Sequence, residues 1–245
     1  MTEKKPGYKK YAKKIAKDFN ILTWLYQIYA LRVLFIPFIA TPFYKFEFSG
    51  NRKALKNVPC ILASNHISYF DPFIVSWAVG RKMAYMAKKE LFEESNYIAR
   101  NISRLGAFPV NREKLEVSTI KTSKEVFKAG WNLCIFPQGG IRKNKTIETI
   151  NKGFVVLAKM TKADILPIGI SGLEKYNWNI FKRPKITVKV GNPISYKLDD
   201  DEIIENWRKQ AAELTGYKLA EVENSYLYGK KIFFPLFYVC LIAKF

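Results

Sequence analysis

The sequence predicts an α/β fold, with a mostly parallel or mixed sheet flanked by helices and an N-terminal helical arm that associates with a membrane. Short apolar runs typical of buried strands alternate with helix-like runs through the middle of the chain. A lysine-rich and then strongly apolar stretch precedes them. The 245 residues suffice for one large domain with an appendage. We therefore expect a basic, apolar arm at residues 1–46, an α/β domain at residues 47–225 and an apolar C-terminal segment at residues 226–245.

The arm runs from lysines into "ILTWLYQIYALRVLFIPFIATPFY", residues 21–44. This run is nearly long enough to span a bilayer, but it contains Gln27, Arg32, Pro37 and Pro42. We therefore expect a kinked helical pair that lies in the membrane interface, with lysines and aromatic residues at the headgroups. The alternative is a helix that docks on the protein core.

The elements of the α/β domain are predicted from apolar runs and their boundaries. Strands are expected at residues 58–64, 83–87, 132–136, 165–171 and 185–190. Helices are expected to begin at Asp71, with Asp71 as N-cap and Pro72 in the first position, and to cover residues 115–129, 154–162 and 200–215. Because strands alternate with helices, the sheet should be largely parallel, with functional groups beyond the carboxyl ends of its strands.

The C-terminal segment, "YLYGKKIFFPLFYVCLIAKF", contains an apolar run of only 12 residues, which Pro235 divides. A helix of that length is too short to cross a bilayer. The segment packs either on the membrane interface or on the core of the domain.

The charge balance narrows the classes of partner. With 41 Lys and Arg against 21 Asp and Glu, the chain carries +20 and attracts nucleic acid, anionic lipid or phosphorylated ligands. No nucleic-acid-binding module is evident, and the lysines concentrate beside apolar segments, so we expect no nucleic-acid partner. Three distant cysteines and a single histidine predict neither a metal site nor a disulfide framework.

The stretch "ASNHISYFD", residues 63–71, contains the only histidine. His66 follows a predicted strand and Asp71 begins a predicted helix, so a tight loop can bring the carboxylate to the imidazole. A carboxylate bonded to one ring nitrogen fixes the tautomer and leaves the other nitrogen as a general base. Such a base deprotonates a substrate hydroxyl as that hydroxyl attacks an acyl carbonyl. The alternative is that Asp71 only caps the helix and His66 is an ordinary loop residue.

Two further stretches are suited to binding an anion. In "FPQGGIRKNK", residues 136–145, two glycines let backbone N–H groups converge, and Arg142 provides a forked donor for phosphate. In "RLGAFPVNREK", residues 104–114, Gly106 and Pro109 predict a turn and Arg112 precedes a helix. Arg112 binds a phosphate or pairs with a neighbouring glutamate.

Together these stretches resemble the glycerolipid acyltransferases of the 1-acylglycerol-3-phosphate acyltransferase type. "NHISYFD" matches their NHxxxxD block, and "GAFPVNR" is similar to their GxxFIxR block. "FPQGGIR" resembles FPEGTR, "ILPIGI" resembles the fourth, proline-containing block, and "MAKKEL" resembles a basic stretch of the family. The four blocks occur in the family's order between Asn65 and Ile170.

The resemblance implies a mechanism. His66 would be the general base that acts on the free glycerol hydroxyl of a lysophospholipid, and Asp71 would orient it. Arg112, Arg142 and Lys88 would hold the acceptor phosphate. The product would be phosphatidate, a precursor in phospholipid biosynthesis.

The resemblance also implies the partners. The donor would be an acyl thioester, either acyl-CoA or acyl-carrier protein, and backbone amides near Gly139 would stabilise the developing oxyanion. No cofactor or metal ion would be required. The basic arm would hold the enzyme against an anionic membrane at its cytoplasmic face.

Two departures from the family pattern fall in the predicted acceptor site. Gln138 stands where the family has Glu, and Arg142 follows it after four residues rather than three. Gln138 and Gly139 remain predicted substrate-binding positions. The departures leave open an acyltransferase that acts on a different lysolipid or hydroxylated lipid, or an inactive lipid-binding relative.

Overall fold

The computed structural model describes residues 8–31, 33, 35, 41–56, 59–111, 115–148, 150, 152–174 and 181–220. The helices are α1 (Ile21–Ile28), α2 (Asp71–Val79), α3 (Leu91–Glu94), α4 (Asn96–Arg104), α5 (Val117–Lys128), α6 (Gly153–Thr161) and α7 (Asp200–Thr215). The strands are β1 (Lys45–Gly50), β2 (Ile61–Ser64), β3 (Met83–Lys88), β4 (Ala107–Val110), β5 (Asn132–Ile135), β6 (Thr146–Ile147), β7 (Ile165–Ser171), β8 (Lys185–Val190) and β9 (Lys218–Leu219). The predicted C-terminal segment lies outside the described residues.

Seven of these strands form one sheet in the order β1-β8-β7-β2-β5-β3-β4. The strands from β7 to β4 are parallel, whereas β8 is antiparallel to β7 and pairs in parallel with β1. The predicted mixed α/β class is therefore confirmed. The carboxyl ends of the five parallel strands share one edge of the sheet, which we call the carboxyl edge, and β1 and β8 begin at this edge.

Helices cover both faces of the sheet. Side chains of α2, α3 and α4 belong to one buried cluster and side chains of α5, α6 and α7 to the other. Successive residues of β2 alternate between the clusters, with Leu62 in the first and Ile61 and Ala63 in the second. Each fully buried aliphatic side chain contributes about 1.5–3 kcal/mol. These two layers hold the strand ends, and the loops that follow them, in fixed positions.

Two sequence predictions are corrected by the strand arrangement. Residues Ala107–Val110 form β4 and not a turn. Pro109 lacks the N–H that a central strand would need, and it is tolerated because β4 is the outermost strand of the sheet. The predicted arm boundary after residue 46 falls inside β1, which begins at Lys45 and pairs with β8 along its whole length.

One face of α1 packs against the domain. Asn20 caps the helix by accepting the N–H of Thr23. Gln27, which the sequence suggested as an interruption, is buried, and its Nε2 donates to the carbonyls of Met83 (2.6 Å) and Leu105 (2.7 Å). None of the described helices is long and apolar enough to cross a bilayer.

A small parallel ladder joins the segment after β5 to the end of α7. Strand β6 pairs with β9, with Thr146 opposite Lys218 and Ile147 opposite Leu219. Two backbone hydrogen bonds extend the ladder. The Lys218 N–H donates to the Lys145 carbonyl and the Ala220 N–H donates to the Ile147 carbonyl, both at 3.0 Å. The loop between β5 and β6 is thus attached at both of its ends.

Candidate active site

A single carboxylate oxygen organises the loop between β2 and α2. The Nδ1 atom of His66 lies 2.7 Å from Oδ2 of Asp71, which also accepts the backbone N–H groups of Ile67 (2.6 Å) and Ser68 (2.8 Å). The N-cap of α2 is Phe70, and Asp71 is the first helical residue, so the predicted capping role of Asp71 is wrong. Its carboxylate bonds the loop before the helix and not the amides of the helix itself.

Burial of Asp71 opposes the ionisation of its carboxyl group. Its side chain is fully buried, and this burial raises the pKa of the carboxyl group against the opposing hydrogen bonds from His66, Ser68 and Ile67. Its Oδ1 atom is buried and makes no hydrogen bond with any described residue. An ionised Asp71 therefore costs folding free energy, and a positive charge on the adjacent imidazole offsets that cost.

The imidazole ring is held on two sides. It stacks on Phe136, with ring centroids 4.1 Å apart and an interplanar angle of 22°, while Asp71 holds Nδ1. His66 is 8% exposed, and its Nε2 has no hydrogen-bond partner in the described part of the chain. With Nδ1 protonated and donating to Asp71, Nε2 carries the free lone pair that a general base requires.

Asn65 connects this loop to the neighbouring strand β7. Its Nδ2 donates to the Ile170 carbonyl at 2.8 Å, and its Oδ1 accepts the Ile170 N–H at 2.7 Å. All of these atoms are buried. The side chain thereby continues the pairing of β2 with β7 beyond Ser64 and fixes the start of the His66 loop.

The loop after β5 passes directly beside His66. Its backbone contributes one hydrogen bond to the site, in which the Arg142 N–H donates to the His66 carbonyl at 2.6 Å. Gly139 has φ +69°, a conformation that favours glycine, and its N–H donates to the Phe136 carbonyl at 3.0 Å. The Gly139 amide is therefore used within the turn. The N–H groups of Gly140 and Ile141 make no hydrogen bond with a described residue.

The other residues predicted for the site lie in different surroundings and make different contacts. Gln138 is buried, and its Nε2 reaches only the Thr146 carbonyl, at 3.4 Å. The Nε atom of Arg142 lies 3.2 Å from Oε2 of Glu148. Lys88 ends β3, two strands from β2 at the carboxyl edge, and lies 3.7 Å from Glu90. Arg112 falls outside the described residues.

No role was predicted from the sequence for Asn65, Phe136 or Glu148. Asn65 and Phe136 are the first residues of the NHxxxxD-like and FPEGTR-like blocks, so their place in the blocks was a usable signal, although their contacts were not. Glu148 carried no signal, because its approach to Arg142 depends on the path of the intervening loop. Among the described residues, no three His, Cys, Asp or Glu side chains form a group that could hold a metal ion.

Comparison with known proteins finds similarity to one family. A sequence model of the acyltransferase family matches residues 45–171. The chain is 31% identical over 170 residues to the 1-acyl-sn-glycerol-3-phosphate acyltransferase of Bacillus subtilis, a match that covers 67% of this chain and 81% of the relative. It is 32% identical over 149 residues to the protein of the same name from Streptococcus pneumoniae, covering 58% of this chain and 54% of that relative.

A solved structure shares the fold. The 1-acyl-sn-glycerophosphate acyltransferase PlsC from Thermotoga maritima superposes with a TM-score of 0.55 at 19% sequence identity. The superposition covers 82% of this chain and 98% of the other. At this identity the match concerns the architecture alone.

Proposed function

The chain belongs to the acyltransferase family, and we propose that it transfers a fatty acyl group from an acyl thioester to the free hydroxyl of 1-acylglycerol-3-phosphate, giving phosphatidate. One observation carries the proposal. The backbone of His66 is bonded to that of Arg142, so the proposed base and the proposed phosphate-binding side chain belong to adjoining loops. The names of the Bacillus and Streptococcus relatives support the acceptor.

In the proposed reaction, Nε2 of His66 removes the proton of the acceptor hydroxyl as its oxygen attacks the thioester carbonyl. The negatively charged Asp71 stabilises the resulting imidazolium through Nδ1. The tetrahedral intermediate then collapses, the carbon–sulfur bond breaks, and the imidazolium returns its proton to the thiolate. We assign oxyanion stabilisation to the N–H groups of Gly140 and Ile141. The N–H of Gly139 is not assigned this role, because it already donates to the Phe136 carbonyl.

The acceptor phosphate is proposed to lie against the Arg142 guanidinium. Lys88 and Arg112 are assigned secondary contacts with the same group. Gln138 supports the loop through Thr146 and does not supply the charge of the family's glutamate. This altered loop favours a second candidate, an acyltransferase for a different lysolipid or hydroxylated lipid, and it also motivates an inactive lipid-binding relative.

We propose that the free face of α1 contacts a membrane. Ile21 and Leu25 of α1, and Tyr29 and Val33 in the helical residues that follow it, recur every four residues and are between 47% and 53% exposed. Such a stripe inserts into the interface between lipid headgroups and acyl chains. The net charge of +20 favours the anionic cytoplasmic face.

Exposed aromatic residues also surround the carboxyl edge. Tyr69 lies between His66 and Asp71, Tyr97 near the start of α4, and Phe181 before β8, and they are 76%, 78% and 91% exposed respectively. Aromatic side chains of this kind are favoured at membrane interfaces. They support an orientation in which the His66 loop faces the lipid acceptor.

Product identification tests the proposed activity. The protein is incubated with labelled acyl-CoA or acyl-carrier protein and, separately, with lysophosphatidate, lysophosphatidylcholine and monoacylglycerol, and each lipid product is identified by mass. We expect phosphatidate from lysophosphatidate. Acylation of another acceptor alone establishes the second candidate, and no thioester consumption with any acceptor establishes the inactive relative.

Vesicle binding tests the membrane proposal separately. We expect cosedimentation with vesicles that contain anionic lipid and loss of binding when Leu25 and Tyr29 are both replaced by Glu. Equal binding of this variant would contradict the assignment of the α1 face.

A further inference from the structure

A carboxylate that no motif contains holds the guanidinium of Arg142. Oε2 of Glu148 lies 3.2 Å from Nε of Arg142, the inner nitrogen of the guanidinium group. No hydrogen bond or ion pair joins this guanidinium to any other described side chain. The two terminal amino groups of Arg142 are therefore available to an external ligand, and these are the groups that form a two-point contact with a phosphate.

Glu148 is itself fixed. Its second oxygen, Oε1, accepts a hydrogen bond from Nδ2 of Asn144 at 2.7 Å. The backbone immediately before it belongs to β6, which pairs with β9. Lys145 has φ +54°, and this left-handed turn returns the chain so that residue 148 faces residue 142. A carboxylate held at Oε1 by Asn144 can support the guanidinium through Oε2, whereas a mobile one would compete for the ligand.

The exposure of the pair suits this role. The side chains of Arg142 and Glu148 are 48% and 36% exposed, so the pair adds little to the stability of the fold. We expect the ion pair to act instead on the orientation of the Arg142 side chain. Guanidinium recognition of phosphate depends on orientation, because the planar group must present both amino groups at once.

We propose that Glu148 is the positioning residue for Arg142 in acceptor binding, and that it returns to this loop the carboxylate that Gln138 lacks. The inference rests on the proposed function, since it concerns the same acceptor phosphate. It accounts for how the longer loop, with Arg142 four residues after Gln138, still presents an aligned guanidinium. Asn144 is assigned the supporting role of holding Glu148.

A double-mutant cycle tests the proposal. Initial rates of phosphatidate formation are measured for wild type, Glu148→Ala, Arg142→Ala and the double variant, with lysophosphatidate varied at saturating acyl donor. We expect Glu148→Ala to raise KM for lysophosphatidate about three- to tenfold and to leave kcat within about twofold. In the Arg142→Ala background the same change should leave kcat/KM unaltered, because Glu148 acts through Arg142.

Asp201→Ala is the matched control. It also removes one carboxylate that pairs with a cation, Lys152, but it lies in the first turn of α7, which follows the end of β8 at the opposite edge of the sheet. Its KM should equal that of wild type. Asn144→Ala, which releases Glu148 without changing the charge, should raise KM in the same direction as Glu148→Ala. This variant separates orientation from net charge.

The contrary outcomes are distinct. An unchanged or lowered KM in Glu148→Ala, with wild type active on lysophosphatidate, would overturn the positioning role and leave the proposed function standing. An equal effect of Glu148→Ala with and without Arg142 would do the same. Absence of wild-type turnover on lysophosphatidate would count against the proposed function on which the inference rests.

Discussion

The Nδ1 atom of His66 lies 2.7 Å from Oδ2 of Asp71, and the same oxygen accepts two backbone N–H groups of the intervening loop. Three donors therefore converge on one oxygen, while Oδ1 of Asp71 is buried without a partner among the described residues. An arrangement selected for stability alone would place an apolar or fully bonded side chain there. The uncompensated burial is consistent with a carboxylate kept to orient an imidazole and to support its charge.

Replacement of Asp71 by Asn should separate catalysis from folding. The amide oxygen of Asn can still accept the Ile67 and Ser68 N–H groups, but a neutral amide cannot stabilise an imidazolium. We expect kcat to fall by about 10²- to 10⁴-fold, and the free energy of unfolding at pH 7 to stay the same or increase because a buried charge is removed. Steady-state rates and urea unfolding measure the two effects. A variant that loses stability and retains turnover would contradict this account.

Asn65 is expected to matter for stability. Its side chain bonds both the N–H and the carbonyl of Ile170, and Asn65→Ala leaves these buried groups without partners. We expect a loss of about 2–5 kcal/mol in the free energy of unfolding, measured by urea denaturation. Asn192→Ala, at an exposed asparagine that bonds Asn51, should change stability by less than about 0.5 kcal/mol. Equal losses of stability in the two variants would contradict the role of Asn65 in linking its loop to β7.

Arg142 and Lys88 should contribute unequally to acceptor binding. The Arg142 loop is bonded to the His66 backbone, whereas Lys88 lies two strands away from β2. We expect Arg142→Ala to raise KM for lysophosphatidate by about tenfold or more and Lys88→Ala by a smaller factor. Arg142→Lys should recover only part of the loss, because an ammonium group lacks the fork of the guanidinium. A larger effect at Lys88 would place the phosphate nearer β3.

Lys14 gives the folded protein a specific pH dependence. Its Nζ donates to the Ser103 carbonyl at 2.6 Å, and burial lowers the pKa of the ammonium to about 8, against the opposing charge of Asp18. Between pH 8 and the ordinary lysine pKa of 10.5, which applies to the unfolded chain, the unfolded chain binds more protons at this position than the folded chain. The stability contribution of Lys14 therefore rises with pH across this window and is lost as pH falls through 8.

Urea unfolding of wild type and Lys14→Met at pH 7.5, 8.5, 9.5 and 10.5 checks this sign. The free energy of unfolding of wild type should increase relative to that of the variant by up to about 1.4 kcal/mol per pH unit. Titrating groups common to the two proteins cancel in this difference. A constant difference across the series would show that Lys14 keeps its ordinary pKa in the folded state.

The sequence was sufficient for the elements with strong periodicity and clear ends. The limits of β7, β8 and α7 agree with prediction to the residue, because apolar runs or an acidic first turn and Gly216 marked them. Strand β4 was missed because Pro109 indicates a turn unless the strand is known to lie at an edge. Strand β1 was missed because the predicted arm was extended to residue 46, although the alternation of polar and apolar residues in its sequence, KFEFSG, is typical of a strand.

Within the site, only contacts between residues close in sequence could be predicted. His66 and Asp71 are separated by a short loop, so their approach follows from a strand end and a helix start. The bond from Arg142 to the His66 carbonyl joins residues 76 positions apart in the chain. The path of the Gly139 turn, the stacking of Phe136 and the placement of Glu148 depend on tertiary structure that no local pattern specifies.

Turnover of the His66→Ala variant tests the general-base assignment most directly. Phosphatidate formation is measured at saturating lysophosphatidate and acyl thioester, with circular dichroism and urea unfolding to show that the variant is folded. We expect a rate below about one-thousandth of wild type, because the variant has no base to deprotonate the acceptor hydroxyl. A folded variant that turns over at a rate near that of wild type would contradict the general-base assignment.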